Sequence, residues 1–141
     1  MKLTNDQILA ACNNMCKNTL METLGIEFIE VGEDYLVARM PVSPRVHQPD
    51  GVLHGGASVA LAESVGSAGA YLFLSTEDVV IRGIEIAANH VKSVSTGYVY
   101  ANASILHKGR TTQLWQIKIV NDVGKLVSLI KLTTLILPKK T

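Results

Sequence analysis

Residues 57–74 read ASVALAESVGSAGAYLFL, eighteen positions with a single charge, Glu63, and no proline. A run of that length without turn signals or strict alternation is helical rather than extended. Its composition is unusual. Ala57, Ser58, Ala60, Ala62, Gly66, Ser67, Ala68, Gly69 and Ala70 give the helix a thin profile, and a helix that is apolar nearly all round belongs in a core, where neighbouring backbone can approach it closely. A membrane span is the competing reading. It fails because Glu63 sits mid-run, glycines weaken the pattern, and the uninterrupted apolar length falls short of the roughly 20 residues a span needs.

Outward from this helix the punctuation is clear. Gly55 and Gly56 precede it, and the 43–53 segment, with Pro44, Pro49 and Gly51, reads as a loop. Before the loop, residues 26–31 and 35–42 flank Gly32-Glu33-Asp34 as the two strands of a hairpin. Thr4 followed by Gln7 forms a capping box, and Ile8, Leu9, Cys12, Met15 and Cys16 then recur at helical spacing; Gly25 ends that region. After the central helix come four stretches rich in Val, Ile, Thr and Tyr, at 79–91, 97–107, 111–121 and 125–137, separated by Gly97, Lys108-Gly109 and Asn121-Asp122-Val123-Gly124. Four successive strands after one buried helix predict an α+β arrangement, an antiparallel sheet curled around that helix. No repeat or linker interrupts the pattern, so residues 1–141 make a single domain.

Composition limits what such a domain can do. With 141 residues, 48% of them hydrophobic and 18% charged, the chain has material for a folded core and an apolar face for a partner subunit. A net charge of +1 argues against nucleic-acid binding. Charge is uneven, however: up to Glu63 there are four Lys/Arg against eight Asp/Glu, and beyond it nine against four. The basic second half offers either a site for an anionic ligand or a solvated face. Cys12 and Cys16, four apart on one helical face, read as packing residues rather than a disulfide framework or metal ligands. The N-terminus lacks the apolar segment of a signal peptide, which predicts a cytoplasmic protein.

Glu63 is the residue composition does not explain. A carboxylate in an apolar helix loses several kcal/mol of hydration if buried and unpaired, so it faces a cavity, finds a partner, or lies on an exposed stripe. In a cavity it is placed to act as general base or nucleophile. Ser67, four residues on, shares its helix face and either orients it or a water, or is there for its small size. His54-Gly55-Gly56 stands at the helix start, where free N–H groups and the macrodipole favour developing negative charge, so a substrate carbonyl placed there would be polarised. The plain alternative is that the glycines only permit a tight turn into the helix. Gly-x-Ser-x-Gly, Walker, Gly-x-Gly-x-x-Gly and His-Glu-x-x-His motifs are absent, and His47, His54, His90 and His107 show no metal-ligand spacing.

The segment His47-Gln48-Pro49-Asp50-Gly51-Val52-Leu53-His54-Gly55-Gly56-Ala57-Ser58, followed by Leu61-Ala62-Glu63-Ser64-Val65-Gly66-Ser67, resembles the signature of hotdog-fold acyl-CoA thioesterases. The similarity is to the group containing 4-hydroxybenzoyl-CoA, 1,4-dihydroxy-2-naphthoyl-CoA and phenylacetate-pathway enzymes. It continues through Asn89-His90-Val91-Lys92 and His107-Lys108-Gly109-Arg110 to the last strand. The resemblance implies that Glu63 is the catalytic carboxylate, attacking the thioester carbon or activating water. Gln48 and His54 would contact the substrate near the thioester, Gly55 would donate its N–H to the carbonyl oxygen, and Ser67 would place the water.

The same resemblance implies homodimers, often paired into homotetramers, with each active site at a subunit interface: Glu63 of one chain faces Gln48 and Gly55 of the other. It also implies that Gly83, His90, Val91, Lys92 and Ser93, together with His107, Lys108, Gly109, Arg110, Thr111 and Thr112, surround the nucleotide of CoA. Lys92 and Ser93 stand where family members often carry Arg and Pro; a lysine keeps the charge but not the bidentate fork. Neither a metal nor a redox cofactor is implied. Two other readings are a non-catalytic acyl-CoA-binding hotdog protein and a hotdog dehydratase, the latter disfavoured by the lack of a suitable His-plus-acid pair.

Overall fold

The computed structural model describes residues 2–74 and 76–140. Helix α1 (Asn5–Met15) opens on the expected capping box: the Thr4 hydroxyl accepts from the Gln7 N–H at 3.2 Å and the Gln7 side chain accepts from the Thr4 N–H at 2.9 Å. The chain then forms a second helix that the sequence reading lacked, α2 (Leu20–Leu24), capped by Thr19 and closed by Gly25 at φ 72°. Five residues are too few to display a helical period, so only the caps could have announced it. Strands β1 (Glu27–Val31) and β2 (Tyr35–Pro41) form the hairpin. Helix α3 spans Gly55–Leu74, two residues longer at its start than the apolar run. Strands β3 (Val79–His90), β4 (Tyr98–Lys108), β5 (Thr112–Val120) and β6 (Leu126–Pro138) follow.

All six strands join one antiparallel sheet in the order β1-β2-β4-β5-β6-β3. Helix α3 packs across β2 to β6 and buries Ser58, Leu61, Ala62, Val65, Gly66, Gly69 and Ala70 against them. Its thinness is used there: a Cβ on Gly66 would come within 2.6 Å of the Leu132 side chain, and one on Gly69 within 3.1 Å of Trp115. Each fully buried Leu or Ile around it contributes about 1.5–3 kcal/mol. Among the described residues, α3 is the one helix long and apolar enough to span a bilayer, but its position is that of a core helix. The polar groups buried with Trp115 are satisfied, its indole N–H donating to Thr134 at 3.1 Å and the Thr134 hydroxyl to Gln113 at 2.8 Å.

The two sheet edges differ. On β1, Asn13 of α1 donates to the Phe28 carbonyl at 2.9 Å and accepts from the Phe28 N–H at 2.7 Å, so a side-chain amide closes that edge. The β3 edge is twelve residues long and, among the described residues, no further strand pairs with it, although near its start the Tyr71 hydroxyl and the Arg82 guanidinium both donate to the Ile81 carbonyl, at 3.2 and 3.1 Å. It carries a bulge between Gly83 and Glu85, with the Ile84 side chain 55% exposed. A long open edge of this kind is a template for pairing with another strand.

Candidate active site

The start of α3 forms one side of a cleft of about 340 Å³. His54 sets its geometry. Its Nδ1 accepts the Gly56 N–H at 2.8 Å, which leaves the ring proton on Nε2 when the imidazole is neutral. Its carbonyl receives the Ala57 and Ser58 N–H groups. Among the described residues the Gly55 N–H has no acceptor, so it is the free donor at the positive end of the helix. Gln48 lies across the cleft, its side-chain oxygen accepting from the Asp50 N–H at 2.5 Å. Among the described residues the amide NH₂, a pair of donors, has no partner of its own. His90, Val91, Lys92 and Ser93 complete the rim. His90 is fixed by a 2.7 Å hydrogen bond between Nδ1 and the hydroxyl of Ser128, which is fully buried, while its Nε2 abuts Gly55.

Glu63 lies elsewhere. Two turns along α3, it is half-buried, and its carboxylate stands against Gly83 of β3, close enough that a Cβ there would be 2.6 Å from Oε1. Among the described residues it has no hydrogen-bond or ion-pair partner. With Ser67 it borders a second, larger cavity of about 790 Å³ between α3 and the two N-terminal helices. Cys12 also lines that cavity; burial, and then the neighbouring Cys16, push its thiol pKa up. It is therefore a poor rival nucleophile.

One chain thus holds its candidate carboxylate and its candidate helix-end donor apart. Gly55 and Glu63 are eight residues apart on one helix, about 12 Å along its axis, so a single carbonyl cannot meet both. The cations divide as well. Lys92 follows the His90 end of β3, where His90 pairs with Ser128, whereas the 107–112 turn lies at the other end, where Thr112 pairs with Leu135 beside the Gly83–Thr134 pair. The two ends are separated by roughly 20 Å of strand.

The family model described as the thioesterase superfamily matches residues 50–128. The 1,4-dihydroxy-2-naphthoyl-CoA hydrolase of Escherichia coli is 46% identical over 129 residues, which cover 92% of this chain and 94% of that one. The proofreading thioesterase EntH of Cronobacter turicensis is 44% identical over 129 residues, covering 92% and 93%. A crystal structure of a thioesterase from Pseudomonas aeruginosa superposes with a TM-score of 0.90 at 42% identity, covering 92% of this chain and 94% of that one. The chain belongs to the thioesterase superfamily. Its fold is accordingly the hotdog fold, with the six-stranded sheet wrapped on α3.

In this thioesterase the residues singled out in the sequence fall into three places. Gln48, Gly55, His90, Val91, Lys92 and Ser93 share the cleft, and His54 caps the helix beside it. Glu63 and Ser67 lie about two and three turns further along α3, and Gly83 of β3 stands against the Glu63 carboxylate. His107, Lys108, Gly109, Arg110, Thr111 and Thr112 form the β4–β5 turn, tied to β6 by the Ile136 N–H on the Thr111 carbonyl at 2.8 Å. Sequence reasoning missed Ser128, whose one signal was a polar residue at an inward position of an apolar strand. It also missed that α1 and α2 wall the cavity beside Glu63.

Proposed function

We propose that this chain is an acyl-CoA thioesterase whose active site is completed by a second copy. The observation that carries the reading is the separation on α3 of an unpartnered carboxylate from an unpartnered helix-end donor, beside an open strand edge. Antiparallel pairing of β3 with its counterpart sets the His90 end of one copy beside the Gly83 end of the other. Glu63 then faces the second copy's Gln48, His54 and Gly55, and Lys92 approaches the second copy's Lys108 and Arg110. Dimers of this kind can pair again into tetramers.

In that arrangement the thioester carbonyl accepts hydrogen bonds from the Gly55 N–H and the Gln48 amide, which hold the negative charge of the tetrahedral intermediate. Glu63 attacks the carbonyl carbon itself or takes a proton from a water held by Ser67. The carbon–sulfur bond breaks and CoA leaves as the thiol; by either route one water is consumed and one acid released. Lys92, Lys108 and Arg110 supply cations for the CoA phosphates. Two free cysteines fit a reducing cytoplasm. The test is thiol release from a panel of CoA esters. The wild type turns over, and Glu63→Ala loses about 10²–10⁴-fold in kcat; undiminished turnover by the variant overturns the assignment.

A further inference from the structure

Resting on the thioesterase reading above, we infer that the preferred acyl group is an unsubstituted aliphatic chain of medium length, housed between α3 and the N-terminal helices. Catalysis requires the carbonyl carbon to lie at Glu63, so the acyl tail must leave from there. The cavity that Glu63 borders is about 790 Å³, within the range of small-molecule sites. Its facing walls include Ile8, Ala11 and Cys12 of α1 and Val59, Ala60 and Ala68 of α3. None of the cations proposed for CoA lines it, so the nucleotide lies in the other direction.

The polar inventory narrows the class. Thr19, Ser64 and Tyr71 also border the cavity, but each spends its hydroxyl proton on a main-chain carbonyl: Thr19 on Cys16 at 2.6 Å, Ser64 on Ala60 at 2.7 Å and Tyr71 on Ile81 at 3.2 Å. That leaves Glu63 and Ser67, both at the reacting end, and the weak S–H donor of Cys12. A ring hydroxyl carried into the cavity can donate to the spare lone pairs of those three oxygens, but its own oxygen meets no free hydroxyl or amide donor of this chain away from the reacting end, whereas an alkyl chain leaves nothing unmatched. The rim is also soft, with Leu3, Met15 and Leu20 more than half exposed around the mouth. Methionine walls adapt to flexible chains rather than fixing one ring geometry.

The experiment compares kcat/KM for butyryl-, octanoyl-, decanoyl- and 1,4-dihydroxy-2-naphthoyl-CoA in the wild type and in two variants that fill the cavity from opposite walls, Ala11→Trp and Ala60→Leu. Each methylene drawn out of water raises kcat/KM by about four-fold at most. The expected result is a rise of at least about ten-fold from butyryl to octanoyl or decanoyl, with both preferred to the dihydroxynaphthoyl ester. Either variant lowers decanoyl turnover far more than butyryl turnover. Equal losses for both esters, no gain with chain length, or preference for the hydroxylated ring would overturn this inference and leave the thioesterase reading standing. Failure to hydrolyse any of these esters would overturn both.

Discussion

Replacing Gly83 by alanine isolates the position of the Glu63 carboxylate from its chemistry. The added Cβ would lie 2.6 Å from Oε1 and 3.4 Å from a Leu132 methyl, where ordinary contact begins at 3.4 Å. Leu132 can stay, and the carboxylate must retreat by about 0.8 Å, the difference between those two distances. Gly83 is not among the glycines with positive φ, so alanine fits the strand backbone, and its lower unfolded-state entropy contributes about 0.4–1 kcal/mol of stability. A misplacement near 1 Å costs on the order of 100-fold in rate. Gly83→Ala is therefore expected to lose about two orders of magnitude in kcat/KM with an unchanged or higher melting temperature. In a Glu63→Ala background the same substitution should change turnover little. Wild-type activity in the single variant, or an equal further loss in the double variant, would refute the placement of Glu63 against this strand.

Other substitutions test other parts of the assembly. Ile84→Lys puts a charge at the bulge on the open β3 edge; sedimentation should show monomers and activity should vanish, and an active dimer would exclude β3 as the seam. Lys92→Ala should raise KM for CoA esters several-fold with kcat little changed, and the difference should shrink as salt screens the phosphates. Trp115→Phe removes the indole donor to Thr134, at a cost of about 1–2 kcal/mol visible as a lower melting temperature with kcat retained.

Much of this was readable in the chain because the signals were local. The Thr4–Gln7 box, the Gly32-Glu33-Asp34 turn and the strand breaks at Gly97 and Asn121–Gly124 all lie within a few residues of what they specify. Strand order was not readable, because β3 follows α3 in sequence yet pairs with the last strand, and such long-range pairing leaves no local mark. The site shows the same division. Glu63 and His54-Gly55-Gly56 stood out as candidates, of which the Gly55 N–H alone is left free at the helix start, but the separation along α3 acquires meaning only beside the unpaired β3 edge. The family resemblance set Gly83 near the nucleotide, and its contact with Glu63 emerges only when α3 and β3 are laid side by side.

Because Gly55 and Glu63 ride on the same rod, the dimer proposed above would hold two reaction centres, each drawing its acid from one copy and its oxyanion donor from the other. Genetic damage then combines in an unexpected way. Lesions at these two positions carried by different copies fall together on one centre and spare the other, so a heterodimer of two dead proteins keeps one live centre. The same two lesions on a single copy, paired with an intact one, silence both centres.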